Sequence, residues 1–350
     1  MKVGIIGCGG IAPVHVRAYK ELKDVEIVGL TDLNIERAKS LARRFDIEKT
    51  FSNYQDMFEK EALDLVDICT PVSTHSRIVC DAAKSVSAIL VEKPMALSVS
   101  ECDEILKEVK KQGTKLCVGH SQIFSPNIQK AKSMVDSGGF PLFSFKTIQK
   151  ESFDLLYAHR LAPAWNVLPD QKGILWEVCC HLAYLQLHFL KDIREVYAVG
   201  AKVKHSVYDN FSVLLRTDRD SFGVIDLSWT SHETEIVYEL EDYTGRRISV
   251  FRDFDYFLER KAKPPFTVGN IVRGFFTDEK RVFQKWGRFG VSYFHKGKVL
   301  PTLNLIKNYI YAIKKDLPSP VTPEDGRRTI NLLECIEKSL NEKRSVQLDR

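Results

Sequence analysis

A short apolar run, Lys2-Val3-Gly4-Ile5-Ile6, leads straight into Gly7-Cys8-Gly9-Gly10-Ile11-Ala12. A helix-length segment follows, then a second apolar run, Val25 to Leu30, that ends on Thr31-Asp32. Few patterns constrain a chain more. A strand feeding a glycine-rich turn and a helix opens a βαβ unit, and an acidic residue closing the next strand completes a dinucleotide-binding fingerprint. Gly7 permits the tight turn, Gly9 lets the backbone approach a pyrophosphate, and Ala12 is the small residue that lets helix and strand pack closely. A helix starting near Gly10, with Ile11 in its first turn, aims free N–H groups and a partial positive charge at the phosphates. Asp32 can accept hydrogen bonds from both ribose hydroxyls and would repel a 2′-phosphate, so the expected cofactor is NAD rather than NADP.

At 350 residues the chain exceeds one ordinary core, and two domains are expected. Hydrophobic content of 44% and charged content of 28% suit a globular protein. The fingerprint strand begins at residue 2, so neither a signal nor a transit peptide is expected. No apolar run is long enough to span a bilayer. The cysteines show no CxxC pair and no zinc spacing, so they read as small buried hydrophobes in a reduced, cytoplasmic chain without a metal. Charge is unevenly spread. Residues 261–315 hold twelve Lys/Arg against Asp278 and Glu279, with Phe266, Phe275, Phe276, Phe283, Trp286, Phe289, Tyr293 and Phe294 interleaved. A basic, aromatic stretch can meet an anionic substrate, a membrane surface or a nucleic acid. No nucleic-acid motif accompanies it, and a solvated or subunit-facing insertion is the preferred reading over peripheral membrane contact.

Strands and helices alternate through residue 119. Leu65–Cys69, Ala88–Val91 and Lys115–Val118 read as buried parallel strands, and 34–44, 75–84 and 98–111 as helices, which predicts a doubly wound parallel sheet over residues 1–121. Beyond it, a helix at Ile128–Ser137 precedes strand-like runs at 142–151, 195–204, 210–217, 222–230, 234–241 and 247–251. One long helix, Ile174 to Leu190, interrupts them. Residues 122–350 are therefore expected to form an α+β domain, a mostly antiparallel sheet with helices on one face. Thr322, Pro323, Glu324 and Asp325 announce a final helix.

Three clusters could carry chemistry. Thr70-Pro71-Val72-Ser73-Thr74-His75 follows a parallel strand, at the edge where open α/β sheets bind ligands. Glu92-Lys93-Pro94 ends the next strand and puts an ammonium group at the same edge. In Gly173-Ile174-Leu175-Trp176-Glu177-Val178-Cys179-Cys180-His181, a continuous helix would set Glu177 and His181 on one face.

Together with Val118-Gly119-His120, Phe124-Ser125-Pro126, Tyr208-Asp209-Asn210 and Ser319-Pro320-Val321-Thr322-Pro323-Glu324-Asp325-Gly326, these segments resemble the Gfo/Idh/MocA family of NAD(P)-dependent sugar and polyol oxidoreductases. The resemblance covers nearly the whole chain. It implies a Rossmann domain, an open-faced sheet domain, substrate held between them, and a homodimer or homotetramer. It implies catalytic roles for Lys93, Glu177 and His181, and cofactor contacts from Gly7, Gly9, Gly10, Ile11, Asp32, Thr70, Pro71, His75, Glu92 and Lys93. Oxidising a secondary alcohol releases a hydride and a proton, and an imidazole titrating near neutrality suits the proton. This chain departs from the family pattern at Glu177 (usually Asp), Cys179 (usually Gly), Ile123 and Asn166 (often Arg). The expected activity is hydride transfer between NAD and a sugar hydroxyl, the basic segment suggesting a nucleotide sugar. A sugar hydrolase or epimerase with transient oxidation, and a non-catalytic NAD- or sugar-sensing regulator, are the alternatives.

Overall fold

The computed structural model describes residues 1–159, 167–169, 172–252, 256–260 and 300–348. The apolar runs of the first third become β1 (Lys2–Ile6), β2 (Glu26–Thr31), β3 (Thr50–Phe51), β4 (Leu65–Ile68), β5 (Ala88–Val91) and β6 (Lys115–Val118). They pair in parallel in the order β3-β2-β1-β4-β5-β6. Every residue of β4 and β5 is buried, as strands covered on both faces must be. The crossovers are α1 (Ala12–Lys20), α2 (Ile35–Phe45), α3 (Tyr54–Lys60), α4 (His75–Ala82) and α5 (Val99–Gln112). Helix α1 starts at Ala12, two residues later than expected, with Ile11 at its N-cap. The order reverses between β1 and β4, which makes their carboxyl ends the natural ligand crevice.

The second sheet contains β7 (Leu142–Ser152), β8 (Ile193–Ala201), β9 (Asn210–Thr217), β10 (Phe222–Ser228), β11 (Thr230–Asp242), β12 (Arg247–Phe251), β13 (Tyr256–Arg260) and β14 (Val346–Gln347). Their order is β13-β12-β11-β7-β10-β9-β8-β14, antiparallel except for the β7–β10 pair. Along β9, Phe211, Val213 and Leu215 are buried while Ser212, Leu214 and Arg216 are exposed, the period of a sheet with one covered face. Helices α6 (Pro126–Asp136), α7 (Phe153–Ala158), α8 (Gly173–Glu177), α9 (Cys179–Leu190), α10 (Leu300–Lys314) and α11 (Pro323–Glu342) complete the described elements. No helix among the described residues is long and apolar enough to cross a membrane.

Two sequence expectations change. The single helix predicted over Ile174 to Leu190 is broken at Val178 into α8 and α9. The stretch expected to be a solvated insertion contains α10, whose Leu305, Ile306, Tyr309 and Ile310 are buried. The Tyr309 hydroxyl lies 2.9 Å from Ile89 O and 2.7 Å from Lys115 O, against β5 and β6. Residues 261–299 of the basic, aromatic segment lie outside the described residues.

Helix α11 joins the two sheets. Thr322 and Asp325 form a full capping box at its start. Glu334 accepts a hydrogen bond from Val99 N of α5 at 2.9 Å, and Ser339 Oγ accepts one from Ala198 N of β8 at 2.8 Å. A Cβ on Gly326 would come within 2.7 Å of Met95 Sδ, which shows how closely this helix packs against the turn after β5.

One buried polar cluster underlies that turn. His15 of α1 is fully buried; its Nδ1 lies 2.7 Å from Asp67 Oδ2 of β4 and its Nε2 3.0 Å from Glu92 Oε1. Ligand atoms of His15, Asp67 and Cys69 fall within 4.8 Å of one another. Both ring nitrogens already face carboxylates, so ion pairing accounts for the cluster. Burial alone would depress the His15 pKa; the Asp67 carboxylate outweighs it and raises the pKa well above the ordinary histidine value. Glu92 is held below the ordinary carboxylate range, burial being outweighed by its bond to His15.

The pH dependence follows from these directions. The His15 contribution is fully present below the unfolded value near 6.5 and is lost as pH rises through the raised folded value. The Glu92 contribution is present above the unfolded value near 4.5 and is lost as pH falls through the lowered folded value. His15→Gln should therefore cost about 3 kcal/mol in urea unfolding at about pH 5–6, the scale of breaking a buried pair. The gap to wild type should narrow as pH rises past about 7. A gap that stays constant or widens toward alkaline pH would show His15 to be neutral in the folded protein.

Candidate functional site

The turn after β1 is shaped by contacts that exclude side chains. Gly7 has φ +93°, and a Cβ there would lie 2.7 Å from the Cys69 backbone. Its N–H donates to Thr31 O at 2.7 Å, which fixes the turn against β2. Gly9 and Gly10 are different: a Cβ on either would meet no protein atom within 4 Å. Packing does not require glycine at these two positions, whereas a phosphate approaching the backbone would. Ile11 provides no side-chain cap, so no capping side chain competes for the first N–H groups of α1. Asp32 is oriented through both oxygens, Oδ2 accepting from Cys8 N and Oδ1 from Asn34 N, each at 2.8 Å. A groove lined by Cys8, Pro13, Asn34, Arg37, Ser40 and Arg44 opens beside it. These features fit an NAD adenosine and pyrophosphate.

The loops after β4 and β5 are tied together by His75. Its ring nitrogens lie 2.8 Å from Pro94 O and 2.8 Å from Thr70 O, and the side chain is buried at the start of α4. Thr74 Oγ1 is 2.8 Å from both Thr70 Oγ1 and Pro71 O, which closes the loop on itself. His75 thus braces the loop, and its imidazole is committed to backbone. Glu92 is committed too: Oε1 faces His15, and Oε2 accepts from Lys93 N at 3.1 Å.

Lys93 crosses to the second half of the chain. Its Nζ donates to Glu177 Oε1 at 2.7 Å and to Glu177 O at 3.1 Å. The second bond explains the broken helix. In a continuous helix Glu177 O would accept from His181 N; here His181 N bonds Val178 O instead, at 3.0 Å, and the freed carbonyl serves the lysine. Glu177 and His181 are therefore brought to one region by a helix junction, not by one helix face. Burial would lower the Lys93 pKa, but Glu177 and then Glu92 outweigh it and raise it, so Lys93 is an ammonium at neutral pH. The Lys93–Pro94 peptide is cis.

His181 Nδ1 lies 2.9 Å from the Tyr184 hydroxyl. Burial pushes its pKa well below the ordinary histidine value, and the charge of Lys93 adds to the effect. The shift favours the neutral imidazole, the form in which a ring nitrogen can accept a proton. His120 stacks on Tyr184 with ring centroids 4.3 Å apart, and burial pushes its pKa down to about 3. Tyr238 of β11 donates to Gln122 Oε1 at 2.6 Å. Asp209, from the Tyr208-Asp209-Asn210 segment, accepts from Val203 N, Lys204 N and His205 N and organises the turn before β9. Trp165 and Asn166 lie outside the described residues.

Sequence reasoning missed His15, Asp67, Tyr184, Gln122 and Tyr238. Asp67 carried a signal, a carboxylate inside the apolar run Leu65-Val66-Asp67-Ile68, where an unpaired charge would be costly. Tyr184 sits three residues after His181, the spacing of side chains that meet on a helix. Gln122 and Tyr238 are 116 residues apart and left no local trace.

Comparison with known proteins agrees with this geometry. Residues 1–120 match the family model described as oxidoreductase family, NAD-binding Rossmann fold, and residues 128–251 match the GFO/IDH/MocA C-terminal domain. A myo-inositol 2-dehydrogenase of Thermotoga maritima is 26% identical over 357 residues, covering 100% of this chain and 99% of that one. An inositol 2-dehydrogenase of Rhizobium meliloti is 31% identical over 237 residues, covering 65% of this chain and 68% of that one. Among solved structures, a probable dehydrogenase from Thermotoga maritima superposes with a TM-score of 0.81 at 22% identity, covering 99% of each chain. With both halves matched and the glycine turn, Asp32 and Lys93 arranged as described, the chain belongs to the Gfo/Idh/MocA family of NAD-binding oxidoreductases.

Proposed function

We propose that this protein is an NAD-dependent dehydrogenase of a sugar or polyol secondary hydroxyl, with Lys93, Glu177 and His181 around the reacting carbon. The observation that carries this reading is the Lys93 ammonium. It stands at the carboxyl end of β5, on the edge where the glycine turn would hold the cofactor, and grips Glu177 of the substrate-side helix pair. Bound NAD supplies the hydride acceptor. The protein supplies the rest: Lys93 stabilises negative charge developing on the substrate oxygen, and Glu177 and His181 are the groups available to its proton. Relatives named inositol dehydrogenases support a free polyol or sugar. The net positive charge of residues 261–315 supports a nucleotide sugar as the second reading. Tyr197 lies opposite Leu214, and Leu214 opposite Val224, on the outer face of the second sheet; the exposed Tyr197 and Leu214 there support a homodimer or homotetramer.

Purified protein with NAD should generate reduced-nicotinamide absorbance on at least one member of a panel of inositols, free sugars and nucleotide sugars. A double Lys93→Ala, His181→Ala variant should lose at least about 10³-fold in kcat/KM, since several transition-state contacts are removed together. Unchanged turnover in that variant would sink the assignment. Substrate converted without net NADH would identify an internally recycled redox step in its place.

Cofactor choice gives an independent check. NADP should bind at least about tenfold more weakly than NAD, one such step being 1.4 kcal/mol. Asp32→Ser should narrow that ratio, chiefly by relieving repulsion of the 2′-phosphate. Equal dissociation constants in the wild type would remove the role given to Asp32.

A further inference from the structure

We propose that Glu92 and His15 form a rigid link between the cofactor-binding helix α1 and Lys93, which makes His15 the positioning residue of Lys93. A single carboxylate spans the gap. Its Oε1 lies 3.0 Å from His15 Nε2, and its Oε2 accepts from the backbone N–H of Lys93 at 3.1 Å. His15 belongs to the first turn of α1, the turn whose free N–H groups would meet the pyrophosphate. The same carboxylate therefore touches the helix that would hold the cofactor and the residue that would meet the substrate oxygen. Both ring nitrogens of His15 face carboxylates, so this histidine can act on the reaction only through its neighbours.

Each end of the link is fixed by its surroundings. The His15 ring is fully buried, and its Nδ1 lies 2.7 Å from Asp67 Oδ2 of β4. The other Asp67 oxygen accepts from Cys69 Sγ at 3.6 Å, so the carboxylate that orients the ring is itself held. Glu92 is confined on its far side by Gly119, where a Cβ would lie 3.0 Å from Glu92 Oε1 and 3.1 Å from Glu92 Cα. Its backbone is tied to both neighbouring strands: Glu92 N donates to Ile68 O at 3.0 Å, and Gly119 N donates to Val91 O at 2.7 Å. Charge agrees with the geometry, since the bond to His15 keeps Glu92 ionised and its contact with the Lys93 N–H charge-assisted.

Resting on the dehydrogenase reading above, the consequence is kinetic. Hydride transfer needs the nicotinamide and the group stabilising the substrate oxygen at one fixed separation, and a misplacement of about 1 Å can cost about 10²-fold in rate. Cofactor affinity does not depend on that separation. The glycine turn is held independently of His15, by Gly7 N donating to Thr31 O and by Asp32 accepting from Cys8 N. Loosening the link should therefore slow turnover and spare NAD binding.

The test begins with protein free of cofactor and sugar. The ¹⁵Nζ signal of the Lys93 ammonium, assigned by its loss in Lys93→Arg, should shift in His15→Gln. Gly119→Ala alters no charge but crowds Glu92, and it should shift the same signal; it also serves if His15→Gln does not fold. A Lys93 signal that stays in place in a folded variant would overturn the proposal, whatever the protein oxidises. With an active substrate in hand, His15→Gln should lower kcat about tenfold and leave the dissociation constant for NAD within about twofold of wild type. A loss of NAD affinity as large as the loss of kcat would show a general loosening of the domain and refute the link. In a Lys93→Ala background, His15→Gln should cost less than about twofold in kcat, because the group it positions is gone. An undiminished tenfold cost there would equally refute it. A shifted Lys93 signal in a protein that oxidises no sugar would uphold the positioning of Lys93 and dispose of the dehydrogenase reading.

Discussion

A buried ammonium cannot stand alone, and much of this structure follows from how Lys93 is compensated. Removing such a charge from water costs several kcal/mol unless partners replace the lost hydration. Glu177 does so from one side with a 2.7 Å bond, and Glu92 contributes from the other. Glu92 is itself a buried carboxylate and needs its own partner, which is His15. His15 in turn needs Asp67 to stay charged. The result is a line of alternating sign, Asp67, His15, Glu92, Lys93, Glu177. It begins under helix α1, whose first turn faces the cofactor side, and ends at the α8–α9 junction. Each charge is tolerated because of the next, so the position of Lys93 relative to the glycine turn is fixed through groups that never reach the site.

The same line explains the irregular helix. A continuous helix from 174 to 190 would satisfy the Glu177 carbonyl internally and leave Lys93 with the carboxylate alone. Breaking the ladder at Val178 gives up a helical bond to Glu177 O and gains a charge-assisted one from the ammonium. The preceding turn is adapted to this. Lys172 and Gly173 both have φ near +60°, and a Cβ on Gly173 would meet Val207 at 2.9 Å.

How much of this could be read in the sequence depended on the range of the interactions. The glycine turn, Asp32 and the parallel sheet were legible because strand period, turn chemistry and helix start lie within about thirty residues of one another. The final helix was legible from its first four residues. The α8–α9 break was not, because its cause lies 84 residues away, at Lys93. Helix α10 was hidden by composition: Lys307, Lys314 and Lys315 made the stretch look solvated, although Leu305, Tyr309 and Ile310 form a buried stripe. For the site, the structure joins Lys93 to Glu177 directly, and the i, i+4 helix face expected to hold Glu177 beside His181 is replaced by a helix junction at Val178.

Histidines in this protein show why residue type alone could not assign the chemistry. His15, His75 and His120 are all buried, yet their protonation differs. His15 meets a carboxylate at each nitrogen and is driven toward imidazolium. His120 stacks on Tyr184, its Nε2 has no partner among the described residues, and burial drives it neutral. His75 stands between these cases. Only an imidazolium can donate to both Thr70 O and Pro94 O at 2.8 Å, while burial, the dominant influence, lowers its pKa. Carbonyl dipoles oppose burial less effectively than full carboxylates do, which is why His15 and His75 shift in opposite directions despite similar hydrogen-bond counts. For His181 the hydrogen-bond partner is a phenol, which bears no charge, so burial and then the charge of Lys93 decide and its pKa falls.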